Sequence, residues 1–224
     1  MVKTLDKKEQ VRIIASRVAQ ELKDGYVLNL GIGIPTQVVN YLPKGVSVTV
    51  TSENGIIGVG GDPAPGSEDK DLINAGGGFI SSISSSCYVN SCDSFGLVRG
   101  GHLDMTVLGA LQVAQNGDIA NWIIPGKMVP GMGGAMDLCN GAKKVVVSMV
   151  HTEKSGDPKI LKQCTLPLTA QKCVSLIVTD MAVIERTDKG LVLKEVAYWT
   201  SVDDVIKATE ADLILADDIK VFGN

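Results

Sequence analysis

The stretch Val46-Ser-Val-Thr-Val-Thr-Ser-Glu-Asn-Gly55 joins a strand-like run to a tight turn. Its first six residues are mostly β-branched, which favours a buried strand. Asn54-Gly55 then predicts a sharp bend, because both residue types tolerate a positive φ. Glu53 is the only carboxylate between Asp24 and Asp62, so one acid is expected at a strand's carboxyl end. Ligand crevices of open α/β sheets lie at such ends. A solvated turn without function fits these residues equally well.

Strand-like and helix-like segments alternate along the chain. A capping box at Asp6–Glu9 opens an amphipathic helix that is expected to end at Asp24-Gly25. A second capped helix is expected after Ser201. Strand candidates recur at residues 25–30, 46–50, 105–113, 120–124, 145–150 and 174–179. This alternation predicts an α/β fold with an open, mixed, largely parallel sheet flanked by helices, and one domain over residues 1–224.

Several segments carry turn or edge signals. Gln115-Asn-Gly-Asp118 predicts a hairpin that returns along residues 121–124, and Asp188-Lys-Gly190 predicts another. Residues 94–104 combine a strand-like start with a glycine turn. The serines within residues 81–86 lack the Gly-x-Ser-x-Gly pattern of a nucleophile, so a polar loop or strand edge is expected there.

Composition excludes several classes of function. The net charge is −4 with both signs mixed, which argues against a nucleic-acid or membrane partner. No apolar run is long enough to span a membrane, and residues 1–8 lack the apolar core of a signal peptide, so a cytoplasmic location is expected. Five cysteines without Cys-x-x-Cys and two histidines at no ligand spacing predict buried free thiols and no metal site.

Two glycine-rich stretches are candidates for binding. Gly31 and Gly33 follow a predicted strand and precede Pro35, an arrangement that suits a ligand laid against free amides at a helix start. They lack the third glycine of a dinucleotide fingerprint. Four glycines within Gly126–Gly134 would let a ligand approach bare backbone. Glycine turns needed only for packing remain an alternative.

Taken together, these stretches resemble the B (β) subunit of class I, 3-oxoacid-type CoA-transferases, and most closely the butyrate/acetate–acetoacetate type. The matching segments are collinear and cover most of the chain. They are Asn29–Pro35, Ser52–Gly55, Asn74–Gly77, Arg99–His102, Gly117–Trp122, Gly126–Met128, Gly131–Asp137 and Cys164–Leu168. The resemblance implies a sheet of the type also found in sugar-phosphate isomerases (NagB–RpiA-like). It also implies a separate A subunit in an A2B2 heterotetramer, and coenzyme A as a substrate rather than a permanent cofactor.

The resemblance also assigns site residues. Glu53 would be the nucleophile that forms first an acyl anhydride and then a glutamyl-CoA thioester. The Gly134 amide and the Asn29 side chain fall where the family places its oxyanion and thioester contacts. Separately from the resemblance, the spacing of the glycines motivates the hypothesis that Gly31, Gly33 and Gly133 line the path of CoA. Lys127, Arg99, His102 and Asp118 also lie in matching segments and are interpreted as structural contacts. An isomerase-like enzyme in which Glu53 shuttles a proton, a thioesterase and a non-catalytic subunit remain alternatives.

Overall fold

A computed structural model describes residues 5–126 and 131–224. The helices are α1 (Lys7–Ala19), α2 (Ser91–Arg99), α3 (Ala135–Gly141) and α4 (Val202–Lys207), with a 3-10 helix at Ile34–Tyr41. The strands are β1 (Val27–Leu30), β2 (Thr49–Ser52), β3 (Ile56–Val59), β4 (Ser82–Tyr88), β5 (Met105–Leu108), β6 (Gln112–Ala114), β7 (Ile119–Ala120), β8 (Val145–Ser148), β9 (Ile160–Leu161), β10 (Leu176–Val178), β11 (Ala182–Thr187), β12 (Gly190–Ala197) and β13 (Leu213–Phe222).

Ten strands form one sheet in the order β13-β12-β11-β10-β8-β5-β1-β2-β3-β4. The five neighbours from β10 to β2 are parallel, and antiparallel pairs extend the sheet on both sides. The strand order reverses between β1 and β5, because the chain runs from β1 to β2 on one side and through β5, β8 and β10 on the other. Such a reversal leaves a crevice at the carboxyl ends of the strands. The predicted open, mixed, largely parallel sheet is confirmed.

Both faces of the central strands are buried, each against a different layer. Val146 packs on the side of α1, with Ile13 and Ile14. Its neighbours Val145 and Val147 point the other way, into a core that contains residues of α2 and α3. Side chains alternate across a strand, so a run of valines can feed both cores. This is why the central strands are apolar throughout, as in a buried parallel sheet.

Helix α1 begins as predicted but ends early. The Asp6 carboxylate accepts a hydrogen bond from the Glu9 amide at 2.8 Å, which forms the expected N-cap. The helix stops at Ala19, not at Asp24-Gly25, because the next amides bond three residues back in tight turns. Gly25, at φ +80, then turns the chain into β1. The apolar period continues past the end of the helix, and for this reason the sequence predicts a longer one.

Two other predictions differ from the structure. Residues 91–99 form a helix rather than a strand, because the Asn90 side chain accepts from the Asp93 amide at 2.9 Å and caps it. The strand from Met105 stops at Leu108, and β6 belongs to a separate three-stranded sheet, β7-β6-β9. The hairpin after β6 is confirmed, but its return strand is Ile119–Ala120 rather than residues 121–124. The second hairpin, β11–β12, and helix α4 are confirmed.

In the described parts of the chain, no helix combines the length and apolar character needed to cross a bilayer. Residues 5–126 and 131–224 also bring together no group of three His, Cys, Asp or Glu side chains suited to a metal ion. The cysteines are free thiols. Cys139 is buried as expected, whereas Cys87 and Cys92 are exposed on β4 and α2, so the expectation of general burial was wrong for these two.

Candidate active site

The turn at Glu53 connects β2 to the antiparallel strand β3. Ser52 pairs with Ile56, and the Gly55 amide donates to the Ser52 carbonyl at 3.0 Å. Gly55 has φ +122, and a Cβ added there would collide with the Val89 carbonyl. Glycine is therefore required both by the bend and by the close approach of the chain behind it. The predicted strand and sharp bend are confirmed, and Glu53 lies at the strand's carboxyl end.

The side chain of Asn29 lies beside Glu53. Asn29 is on β1, in register with Thr51 of β2, and is only 2 % exposed. Its Nδ2 donates to Glu53 Oε2 at 3.0 Å and to the Thr51 carbonyl at 3.3 Å. Glu53 itself is half-buried. The acid is thus held by a fixed donor and is not free to turn entirely into solvent.

Gly134 lies close to the side chain of Glu53. A Cβ added at Gly134 would lie 3.2 Å from Glu53 Cγ and 3.1 Å from Phe95 Cε1. Such separations are shorter than most contacts of a real Cβ, so a side chain at position 134 would press on the acid. The structure therefore brings Asn29 and Gly134 next to Glu53. In the sequence, Asn29 is 24 residues before Glu53 and Gly134 is 81 residues after it.

These three residues lie in a cleft of about 990 Å³ at the carboxyl ends of β1, β2 and β5. Gly31 and Gly133 also line the cleft, whereas Gly33 is not among its described lining residues. Gly31 packs on β5: an added Cβ would lie 3.2 Å from the Val107 carbonyl. Gly33, at φ +92, starts the 3-10 helix. Backbone packing and conformation thus account for both glycines without a ligand.

A loop that follows β3 covers the cleft and is tied to the turn at Glu53. The Ala75 amide donates to Ser52 Oγ at 3.0 Å, and Asn54 Nδ2 donates to the Ile73 carbonyl at 2.7 Å. Beyond them, Phe79 and Ile83 give the cleft an apolar wall. Ile83 belongs to β4, the edge strand that contains most of the serine cluster, so the predicted strand edge is confirmed.

The sequence did not predict two further residues, one beside Gly134 and one in the cleft lining. Phe95 of α2 packs on Gly134, but its segment has a strand-like sequence. Asn121 lines the cleft, and its Nδ2 donates to the Gly109 carbonyl at 3.1 Å while its Oδ1 accepts from Thr169 Oγ1 at 2.6 Å. Asn121 belongs to the matching segment Gly117–Trp122, which was the available signal.

Other residues of the matching segments make structural contacts. Arg99 pairs with Asp137 at 2.7 Å, which joins α2 to α3. Asp118 accepts from the Lys172 amide at 2.9 Å and from Asn116 Nδ2 at 3.0 Å, which fixes the turn before β7. The His102 amide donates to the Leu97 carbonyl at 3.2 Å. Lys127 and Met128 lie outside the described residues.

The sequence of this chain matches those of coenzyme A transferases. The family model described as coenzyme A transferase matches residues 11–208. The chain is 52 % identical, over 93 % of each chain, to the beta subunit of the acetate CoA-transferase of Haemophilus influenzae. It is 47 % identical, over 95 % of this chain and 98 % of the relative, to the B subunit of the probable succinyl-CoA:3-ketoacid coenzyme A transferase of Bacillus subtilis.

A solved structure shares the fold. The apoenzyme of an acyl-CoA transferase from Escherichia coli O157:H7 superposes with a TM-score of 0.75 at 20 % identity. The match covers 98 % of this chain and 44 % of that one, so this chain spans less than half of the E. coli protein. The family match over most of the chain and the two close relatives lead to one conclusion: the chain belongs to the coenzyme A transferase family, among the B (β) subunits of its class I, 3-oxoacid type.

Proposed function

We propose that Glu53 is the covalent relay of a CoA transfer between a short-chain acyl-CoA and a carboxylic acid. The observation that supports this most is the position of its side chain inside the cleft: the carboxylate lies 3.0 Å from Asn29 Nδ2, and Cγ lies only 3.2 Å from where a Cβ on Gly134 would be. A carboxylate held by a neutral donor at the mouth of a crevice can meet a thioester carbonyl. It is also partly shielded from water, which favours covalent chemistry over hydrolysis.

The chemistry explains why the relay is an acid. Transfer of CoA from one carboxylic acid to another needs an intermediate whose energy is close to that of a thioester. An acyl anhydride and a glutamyl thioester meet this need, whereas a serine ester would be too stable to return the acyl group to CoA. A carboxylate is a weak nucleophile, so the site must stabilise the oxyanion that forms on the attacked carbonyl.

The reaction proceeds through four balanced steps. A Glu53 oxygen attacks the acyl carbon of the donor, the C–S bond breaks, and CoA leaves as a thiolate. The thiolate then attacks Glu53 Cδ, and the donor acid leaves with the bridging oxygen. The acceptor carboxylate attacks the resulting thioester and expels the thiolate again. In the last step the thiolate attacks the acceptor's acyl carbon and releases Glu53 as a carboxylate, with no net change of protons or electrons.

Asn29 and Gly134 are the donors that this scheme needs. Asn29 Nδ2 already contacts the Glu53 carboxylate, and Gly134 lies so near that a Cβ added to it would be 3.2 Å from Glu53 Cγ. One oxyanion donor is worth about 3–4 kcal/mol of activation free energy. Gly31 and Gly133, both in the cleft lining, would contact the CoA arm, whose binding energy can be used at the distant thioester. Gly33 keeps this role only as a sequence prediction.

Substrates and partner follow from the relatives. The names of the relatives include acetate and succinyl-CoA:3-ketoacid transferases, and the apolar wall at Phe79 suits a short acyl chain such as acetyl, butyryl or acetoacetyl. CoA enters as a substrate and leaves in each cycle. Both relatives are named as subunits, so the partner is an A subunit, in an A2B2 assembly in the cytoplasm. The chain forms one domain, consistent with one sheet that runs from Val27 to Phe222.

The test uses the complex of this chain with its A subunit. Glu53→Gln should abolish transfer and the exchange of labelled donor acid into its acyl-CoA, a partial reaction that ping-pong chemistry allows without the acceptor acid. Glu68→Gln removes an exposed acid outside the described lining of the cleft and is the matched control. Full activity of the Glu53→Gln complex would mean that this chain has only a structural role. Without an acceptor acid, continued release of free CoA and acid beyond one equivalent per active site would indicate a thioesterase instead.

A further inference from the structure

Two buried polar atoms next to the proposed nucleophile lack a partner. Asn29 Oδ1 and Thr106 Oγ1 are both inaccessible, and neither forms a hydrogen bond with any residue of the ranges 5–126 and 131–224. Buried side-chain polar atoms in folded proteins are almost always paired with protein or water. Two unpaired atoms of complementary type close to one catalytic residue therefore call for an explanation.

Strand register places the two side chains together. Asn29 of β1 lies opposite Thr106 of β5, and opposite Thr51 on its other side. In-register side chains of neighbouring strands share one face of the sheet. The row continues to Val145, which packs in the core with residues of α2 and α3. Thr106 is 0 % exposed, and its amide donates to the Lys144 carbonyl. Its hydroxyl is the group that lacks a hydrogen-bond partner among the described residues.

We propose that Thr106 is a positioning residue for Asn29. Its hydroxyl donates to Asn29 Oδ1, either after one rotation about Cα–Cβ or through one water, and so keeps the amide group pointing toward Glu53. A hydroxyl can donate a hydrogen bond and a carboxamide oxygen can accept one, so Thr106 Oγ1 and Asn29 Oδ1 can pair with each other. A rotation between staggered positions exchanges the hydroxyl and the methyl of a threonine. The inference rests on the proposed function, because it gives Asn29 a role in the chemistry at Glu53.

The proposed contact between the Thr106 hydroxyl and Asn29 Oδ1 becomes important during the reaction. In the resting state the Asn29 amide is held by two acceptors, Glu53 Oε2 at 3.0 Å and the Thr51 carbonyl at 3.3 Å. Once Glu53 is acylated or bound to CoA, its carboxylate charge is gone and the stronger of these contacts weakens. Only the longer bond to Thr51 would then hold the amide. A contact at Oδ1 prevents the carboxamide from turning an oxygen toward the developing oxyanion.

The test compares four variants in the complex with the A subunit. Thr106→Val removes the hydroxyl at equal size, Thr106→Ala removes it with less risk of strain, and Thr106→Ser restores it. Ser148→Ala is the matched control: its buried Oγ is also unpaired among the described residues, but it lies beside Val178 and faces the α1 layer. The readouts are kcat, KM for acyl-CoA and the midpoint of thermal unfolding.

We expect Thr106→Val and Thr106→Ala to lower kcat by about 10-fold to 100-fold, because a small misplacement of a catalytic group has an effect of this size. KM should stay unchanged, as for an interaction that acts only in the transition state. Thr106→Ser should keep kcat within about threefold of the parent, and Ser148→Ala within about twofold. If the valine variant does not fold, the alanine and serine variants carry the same comparison.

A double-mutant cycle separates positioning from a general structural effect. In an Asn29→Ala background, Thr106→Val should cost less than about twofold, because the residue through which it acts is gone. The proposal is overturned if Thr106→Val alone leaves kcat unchanged, or if Thr106→Ser lowers kcat as much as Thr106→Val does. It is also overturned if Thr106→Val lowers kcat by the same factor in the parent and in the Asn29→Ala background. These outcomes are distinct from failure of the proposed function, which full activity of Glu53→Gln would show.

Discussion

Asn29 Nδ2, on β1, lies 3.0 Å from Oε2 of Glu53, which directly follows the neighbouring parallel strand β2. Both residues are at the carboxyl ends of the strands, next to the point between β1 and β5 where the strand order reverses. The sheet therefore fixes the donor before any substrate binds. Preorganised donors of this kind need no rearrangement at the moment of reaction. The same contact would stabilise the resting carboxylate, so its catalytic value depends on how it changes when Glu53 reacts.

Replacing Asn29 should slow the reaction far more than it weakens binding. Asn29→Ala removes one donor at the acid, and we expect kcat to fall by about 10²-fold to 10³-fold. KM for acyl-CoA should change little, because the path proposed for the CoA arm follows Gly31 and Gly133 and does not depend on the Asn29 side chain. Steady-state kinetics of the complex would check this. A change confined to KM would mean that Asn29 serves substrate binding alone.

Gly134→Ala should also reduce activity, for a steric reason. The new Cβ would lie 3.2 Å from Glu53 Cγ and 3.1 Å from Phe95 Cε1, so the acid or the loop must shift. We expect a loss of about 10²-fold in kcat, as for a displacement of roughly 1 Å. The matched control is Gly96→Ala on α2, where an added Cβ meets nothing within 4 Å. It should stabilise the fold by about 0.5–1 kcal/mol, because alanine favours a helix. Equal kcat values for the two variants would contradict this account of Gly134.

The site was predictable in part because it depends on local sequence. Glu53 follows a β-branched run and precedes Asn54-Gly55, and each of these signals acts within a few residues. The pair Asn54-Gly55 is a clear sequence signal for a tight turn. The structure shows that Gly55 is required there by both its conformation and its packing. The partnership with Asn29 was implied by the family resemblance. Its geometry depends on β1 and β2 being neighbours, and no local pattern specifies strand order.

Other features escaped prediction for identifiable reasons. Gly96 lies within α2 and weakened the helical pattern, whereas the cap at Asn90 was the decisive signal. The stretch from Met105 to Ala114 is mostly apolar, and this hid the point at which the chain leaves one sheet and joins another. In the sequence, residues 213–215 form only a short apolar segment, but the strand β13 extends to Phe222 because it pairs with β12. Tertiary pairing overrode local propensity there.

His151 should make the fold sensitive to acid. The ring is 0 % exposed, and its nitrogens lie 2.8 Å from Thr179 Oγ1 and 2.9 Å from Thr209 Oγ1. Burial, with a smaller effect from the charge of Lys159, lowers the pKa of His151 from 6.5 to about 4. The unfolded chain therefore binds more protons between these values, so the free energy of unfolding should fall as pH drops from 6.5 toward 4.

The size of this effect follows from the pKa difference. At about 1.4 kcal/mol per pKa unit, the loss approaches roughly 3 kcal/mol near pH 4. Urea unfolding at several pH values would measure it. His151→Gln should be less stable at neutral pH, but the part of the slope between pH 6.5 and about 5 that is due to His151 should disappear. An unchanged slope in the variant would assign the acid sensitivity to other groups.

Arg17 should be important for attaching α1 to the sheet. Its guanidinium donates to both Glu195 oxygens at 2.7 Å and to Glu21 at 2.7 Å, and the residue is 8 % exposed. Arg17→Met would leave Glu195 without this partner in a largely buried position, and we expect a loss of about 3–5 kcal/mol. Lys162→Met, which breaks an exposed pair with Asp212 at 3.4 Å, should cost at most about 1 kcal/mol. Similar losses for both, measured by urea unfolding, would contradict a special role for Arg17.

The most direct test of the central proposal is a chemical trap of Glu53. The complex with the A subunit is incubated with acyl-CoA but no acceptor acid, treated with borohydride, digested and examined by mass spectrometry. A glutamyl-CoA thioester predicts reduction of Glu53 to the corresponding alcohol, dependent on acyl-CoA and absent from Glu53→Gln. An active complex in which the Glu53 peptide stays unmodified, while another side chain is reduced in an acyl-CoA-dependent way, would contradict the account.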